Sequence, residues 1–270
     1  MSYFLGENKG TGYSSISAIY DISRKANSET VRKLMELLHF NSEMVFLDMG
    51  CGTGNYLAAI MQISKDIIGI DISMSMLEQA RKKAPYLQLI CGDVTSLPFA
   101  TETFAGAFAI QILHHLRKKA DFLRETRRVL KTGSYVAIHS CSHSQMGAFW
   151  FYHYFPKCLE IDLARIPDTC EICFLLEKSG FSNIGVEICY HDTVVSNETP
   201  ERYLDKNYRN GVSTFAFLTD DEIELGCDKI RQDMSSGDVD RVVQQCEAKV
   251  LNEVGGSSII YGQKTNFFCR

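Results

Sequence analysis

The sequence predicts an α/β protein built on a doubly wound, mostly parallel sheet, and three observations predict it. Apolar runs of strand length recur near residues 45–49, 67–71, 87–91, 104–110 and 134–141, interleaved with segments of helical periodicity. The first run reaches an acid, Asp48, and then breaks into three alternating glycines, Gly50, Gly52 and Gly54, before an amphipathic stretch. The fourth run, Phe104–Ile110, is apolar on both faces, as a central parallel strand must be.

The elements follow in order. Residues 14–39 read as helix, with an apolar stripe of Val31, Leu34, Met35, Leu37 and Leu38. Ser28 and Glu29 stand where an N-cap and a first-turn acid belong. Strand one leads into the glycine loop and a helix over 56–63. The second strand ends at Asp71, and Ser73 caps the next helix, whose buried face carries Met76, Leu77 and Ala80. The third strand, 87–91, leads to Gly92-Asp93 and a loop holding Pro98. A helix over 118–130 is followed by Lys131-Thr132-Gly133, where the glycine suits a C-terminal cap, and the fifth strand follows from Ser134.

Beyond residue 142 the rhythm loosens. An aromatic run, Phe149 to Phe155, precedes a helix over 170–178. A sixth strand lies within 181–195, and a last strand within 258–269. The expected organisation is an N-terminal helical cover (1–40), a nucleotide-binding core (41–196 with 256–270) and a helical lid (197–255).

Bulk composition narrows the function. The chain has 270 residues, 45% of them hydrophobic, with a net charge of −5 and no visible basic cluster, which opposes a nucleic-acid partner. Residues 197–255 hold thirteen acids and seven bases, a net −6, so the acidity is concentrated in the lid. That bias suits a solvated helical surface, or a cleft that favours amine substrates. No apolar run reaches the roughly 18 residues of a membrane span. The first residues also lack the build of a signal peptide, so a cytoplasmic protein is expected. The ten cysteines are scattered. Only Cys170 and Cys173 have ligand-like spacing, with no second close pair, so no metal site is expected.

The chemistry-bearing residues cluster at strand ends. Glycines at 50, 52 and 54 let backbone approach a ligand. Asp71, 17 residues after Gly54, can take both hydroxyls of a ribose, and Asp93 can accept from the amine of an adenine. Asp48 can orient the loop or face an ammonium group. Asn55 stands where the dinucleotide fingerprint has its next glycine, and the loop offers no basic residue for a pyrophosphate. Carboxylates around the pocket instead suit a cofactor bearing an amine and a sulfonium.

With these residues in view, the chain resembles the class I S-adenosylmethionine-dependent methyltransferases. It is most similar to small-molecule enzymes akin to those of ubiquinone and menaquinone biosynthesis. The resemblance rests on Leu47-Asp48-Met49-Gly50-Cys51-Gly52-Thr53-Gly54, Gly69-Ile70-Asp71-Ile72-Ser73 and Cys91-Gly92-Asp93-Val94. It continues in Leu97-Pro98-Phe99, His114-His115-Leu116 and Arg128-Val129-Leu130-Lys131, and covers about residues 18 to 140. It implies a seven-stranded Rossmann-like sheet with S-adenosylmethionine as cofactor. By it, Gly50 and Gly52 meet the methionine part, Asp71 holds the ribose, Ile72 and Val94 flank the adenine and Asp93 reads its edge. Gln111 faces the methionine end, Tyr20 covers the cofactor and Arg24 or Lys25 reaches its carboxylate. Two positions depart from the family pattern: Ala105 replaces an aspartate on the fourth strand, and Lys131-Thr132-Gly133-Ser134 replaces Lys-Pro-Gly-Gly.

Methyl transfer of this kind is an in-line displacement, so the protein mainly aligns the acceptor and excludes water. If the acceptor must lose a proton, His114, His115, His139 and His143 are the candidates, lying near the carboxyl ends of strands four and five. His143, past the strand, is the best placed, with His114 next, while His139 reads as a buried, satisfied strand histidine. The expected reaction is methylation of a small acceptor, an amine or hydroxyl metabolite. Its rivals are a non-catalytic cofactor-binding scaffold, a nicotinamide-dependent dehydrogenase, and a protein or RNA methyltransferase.

Overall fold

The structure is a computed structural model that describes residues 25–41, 43–62, 66–192 and 199–266. Its first half alternates helix and strand: α1 (Ser28–Leu37), β1 (Phe46–Met49), α2 (Asn55–Met61), β2 (Ile67–Asp71), α3 (Met74–Lys83), β3 (Gln88–Cys91), β4 (Phe104–Ile110), α4 (Lys119–Val129) and β5 (Leu130–Ser140). The helices α5 (His143–Met146), α6 (Trp150–Tyr154), α7 (Pro156–Arg165) and α8 (Thr169–Lys178) lead to β6 (Phe181–Cys189). Then come α9 (Lys206–Asn210), α10 (Asp220–Ser236), α11 (Val239–Lys249) and β7 (Ser257–Lys264).

The seven strands lie in the order β3-β2-β1-β4-β5-β7-β6. Strands β1 to β5 pair in parallel, and β7 runs antiparallel between β5 and β6. Strand order reverses between β1 and β4, which opens a crevice at their carboxyl ends. One face of the sheet packs Leu47, Met49, Val136 and Ile138 against Phe122, Leu123, Ile172 and Leu176 of α4 and α8. The other packs Phe46, Phe108, Ala137 and Ile259 against Val31, Leu34, Leu57 and Ile60 of α1 and α2.

Several boundaries differ from expectation. Residues 25–27 are not helical, and the cap of α1 is Asn27, whose side chain accepts from the amides of Glu29 and Thr30. The start of the expected helix, 14–24, lies outside the described residues. Helix α4 ends at Val129 and Leu130 at once pairs with Phe104, so β5 begins four residues early. The pairing then shifts between Phe104 and Gly106, and Gly133, with φ +89°, sits in that bulge instead of capping a helix.

The aromatic run forms the core of a separate helical layer. Phe149, Trp150, Phe151, Tyr154 and Phe155 pack with Tyr203, Tyr208, Phe215, Cys227, Ile230 and Val242. Inside that layer Arg165 and Asp162 form a buried ion pair at 2.8 Å, and Tyr152 and Thr214 donate to the same carboxylate. Its satisfied oxygens explain how a charge can sit in this apolar layer.

Candidate functional site

Four loops meet at the carboxyl ends of β1 to β4. The amides of Gly50 and Cys51 both donate to the Ile70 carbonyl, at 2.7 and 3.1 Å, and the Gly92 amide donates to the Asp71 carbonyl at 3.0 Å. The glycine bend is thereby stitched to the end of β2, and β2 to the loop after β3. At Gly50 (φ +77°) a Cβ would lie 2.4 Å from Ile112 Cδ1, so the loop after β4 presses against the bend. Among the described residues, Gly52 (φ +52°) has no atom within 4 Å of where its Cβ would sit, so they leave space over the bend.

Asp71 lines that space. Its Oδ2 accepts from the Gly52 amide and its Oδ1 from the Ser73 amide, both at 2.8 Å. Each carboxylate oxygen keeps a further lone-pair direction for a ligand hydroxyl. Burial raises the Asp71 carboxyl above its usual range, with the Ser73 and Gly52 hydrogen bonds opposing that rise. The next residue, Ile72, is 71% exposed, an apolar platform beside an acid. Across from it Val94 is buried, while the exposed Asp93 accepts from the amide and hydroxyl of Thr95, each at 2.8 Å.

Asp48 is the electrostatic anomaly of the site. It is only 2% exposed, and its Oδ1 has no hydrogen-bond partner among the described residues. Burial first, then the charge of Asp71, pushes its carboxyl well above the ordinary value. A buried acid without a partner beside an open bend suits a cationic ligand, which would relieve the desolvation cost.

The remaining candidates among the described residues lie on β5 or on the segments that follow β4 and β5. Gln111, just past β4, adopts a left-handed backbone (φ +52°) and donates its amide to the His139 carbonyl at 3.0 Å. His114 and His115 lie on a short 3-10 turn, Leu113–His115, with ring centroids 3.9 Å apart. His143 opens α5; its amide donates to Asp168 Oδ1 and its Nε2 to the Ile166 carbonyl, both at 2.9 Å. His139 is buried and fully engaged, as its strand position implied. Tyr20 and Arg24 lie outside the described residues. Sequence reasoning passed over Asp192, which sits beside His139. An acid just past a strand end was the signal at Asp71 and Asp93, and the same test after β6 would have flagged it.

Part of the chain is similar to known proteins. Residues 47–138 match the family model described as a methyltransferase domain. Malonyl-(acyl-carrier protein) O-methyltransferase of Legionella pneumophila is 34% identical over 118 residues, covering 41% of this chain and 42% of that protein. Demethylmenaquinone methyltransferase of Renibacterium salmoninarum is 30% identical over 103 residues, covering 38% and 44%. The chain thus spans less than half the length of these two relatives. Among solved structures, a methyltransferase described as belonging to an antibiotic biosynthesis pathway of Anabaena variabilis superposes with a TM-score of 0.75 at 24% identity, covering 89% of this chain and 99% of that one. Phosphoethanolamine N-methyltransferase 2 of Haemonchus contortus, solved with S-adenosyl-L-methionine, gives 0.60 at 14% identity, covering 95% and 59%. These structures share the fold. Residues 47–138 are thus similar to a methyltransferase domain, and the matched segment runs from β1 into β5 and includes the glycine bend and Asp71.

Proposed function

We propose that this chain is an S-adenosylmethionine-dependent methyltransferase acting on a small organic acceptor, with an amine or hydroxyl metabolite favoured. The observation that carries the reading is the glycine bend at Gly52, with Asp71 hydrogen-bonded to its amide, the exposed Ile72 beside it and the buried Asp48 carboxyl beneath, whose Oδ1 has no partner among the described residues. Those residues fit an adenosine with a cationic tail.

In this reading the free lone pairs of Asp71 accept the ribose hydroxyls, Ile72 and Val94 hold the adenine between apolar surfaces, and Asp93 reads its edge. Gly50 and Gly52 admit the methionine part against bare backbone, while Asp48 opposes its positive charge and Gln111 faces it. Tyr20 and Arg24 complete the set. When bound, the cofactor supplies a sulfonium methyl group open to in-line displacement. The protein excludes water and fixes the line of attack. His143 keeps Nδ1 for an acceptor proton, because its Nε2 is committed to Ile166. His114 is the second choice. The net −6 of residues 197–255 favours acceptors that approach as cations, and also supports a small molecule over RNA. The helical layer, by this reading, is the lid over the crevice. A cytoplasmic location suits the nine described cysteines, all free thiols.

The test is calorimetry with S-adenosylmethionine on the wild type and on Asp71→Ala. Wild-type binding, lost to below detection in the variant, is expected, because the substitution removes the acceptor for two buried hydroxyls. Near-normal affinity in Asp71→Ala would remove the ribose from this acid.

A further inference from the structure

A buried chain of side chains runs from the loop after β6 to the loop after β4, and the reaction as proposed does not use it. Asp192 is 6% exposed, and its Oδ2 lies 2.9 Å from His139 Nε2. The same oxygen accepts from Thr30 Oγ1, on the buried face of α1. His139 is 3% exposed, and Ser257 Oγ of β7 stands 2.8 Å from the same ring nitrogen. On the other side of the ring, Nδ1 faces Gln111 Nε2 at 3.5 Å. Gln111, Asp192 and Ser257, distant in the chain, thus converge on one imidazole, with Thr30 behind Asp192.

We propose that Asp192 and His139 are positioning residues that fix the side-chain amide of Gln111 toward the methyl-transfer crevice. The inference rests on the functional reading above and assigns it two further residues. An ionised carboxylate only accepts hydrogen bonds, so Asp192 places the ring proton on Nε2. That leaves Nδ1 with a lone pair, which accepts from the NH2 of Gln111 and from nothing that lacks a proton. The opposite end of the amide, Oε1, is therefore turned away from the ring. It has no hydrogen-bond partner among the described residues.

The direction matters because of where Gln111 sits. Its neighbour Ile112 is pressed against the glycine bend at Gly50, so the amide belongs to the rim of the open space over Gly52. A carbonyl oxygen there attracts an ammonium or the proton of an acceptor, whereas an NH2 would repel both. The backbone of Gln111 is held in its left-handed conformation by the hydrogen bond to the carbonyl of His139 itself. The histidine therefore governs both the main chain and the side chain of this rim residue. Side-chain partners behind a working group orient it in the same way around metal ligands.

Two measurements on the full chain test the relay. The first is 15N NMR of histidine-labelled wild-type protein without cofactor. The expected signature for His139 is a proton on Nε2 and a bare Nδ1, and conversion to a mixture in Asp192→Ala. A wild-type ring protonated at Nδ1 would overturn the proposal, and this arm needs no folded variant. The second is calorimetry with S-adenosylmethionine on His139→Asn, Gln111→Ala and the double variant. His139→Asn is expected to weaken binding on the order of tenfold, and to weaken it by less than about twofold when Gln111 is already alanine. Equal losses in both backgrounds would show a role independent of Gln111 and would sink the relay. Absence of binding by the wild type would count against the functional reading itself. The NMR signature, which needs no cofactor, tells that failure from a failure of the relay.

Discussion

At the scale of the residue, Gly50 and Gly52 share a left-handed backbone and differ in what lies beyond it. Alanine at either position strains the chain by about 1–2 kcal/mol. At Gly50 the new methyl also meets Ile112 at 2.4 Å, whereas at Gly52 it enters open space. Gly50→Ala should therefore lower the melting temperature more than Gly52→Ala does. Gly52→Ala should weaken S-adenosylmethionine by about tenfold or more, about 1.4 kcal/mol, while staying folded. Thermal melts and calorimetry on the pair read both effects. Asp48 adds a pH signature. Its carboxyl titrates well above the usual range because it is buried and faces Asp71. The ionised fraction that attracts a cation therefore grows as pH rises through that elevated value. Cofactor affinity should strengthen as pH rises through that elevated value, and Asp48→Asn should flatten the dependence. Equal slopes in calorimetric titrations of the two proteins would exclude Asp48 as the source.

At the scale of the element, the parallel strands were legible because each contains an apolar run of strand length. The loops after them were legible because glycines and acids recur at the strand ends. The join of α4 and β5 was not. Lys131-Thr132-Gly133 reads as a helix cap, yet the pairing of Leu130 with Phe104 makes it a bulge within a strand. Only the neighbouring strand distinguishes the two. The helical layer shows the same limit. Nothing in the run Phe149–Phe155 says whether the rings line a cleft or fill a core; packing against α10 and α11 buries them. Gly226 of α10 sits against that packing, and here propensity and packing oppose each other. Alanine would favour the helix by about 1 kcal/mol. Its methyl, however, would lie 2.3 Å from Phe155 Cε1 and 2.8 Å from the Tyr154 carbonyl, and backbone yields little. Overpacking costs about 1–3 kcal/mol. Gly226→Ala is accordingly expected to lower the melting temperature; a rise would mean the contact relaxes freely.

At the scale of the whole molecule, Asp192 ties α1, β5 and β7 to the loop that follows β6. Burial alone would raise its carboxyl, but hydrogen bonds from His139, Thr30 and Ser257 outweigh burial and hold it below the ordinary value. A depressed carboxyl contributes stability that is fully present above the unfolded value, about 3.9. It is lost as pH falls through the folded one. Thermal melts should show an acid limb below about pH 4 that is shallower in Asp192→Asn. An unchanged limb would place the acid sensitivity elsewhere. The sequence by itself determined the sheet and the cofactor bend, because both are written in local spacing: apolar runs, alternating glycines and an acid closing a strand. Tertiary structure alone decided which acid is buried without a partner, that the aromatic run is core, and that Asp192 meets His139 across 53 residues of chain. The physical reason is that burial and long-range hydrogen bonds depend on what the folded chain brings alongside, and such neighbours leave no periodic trace in the sequence.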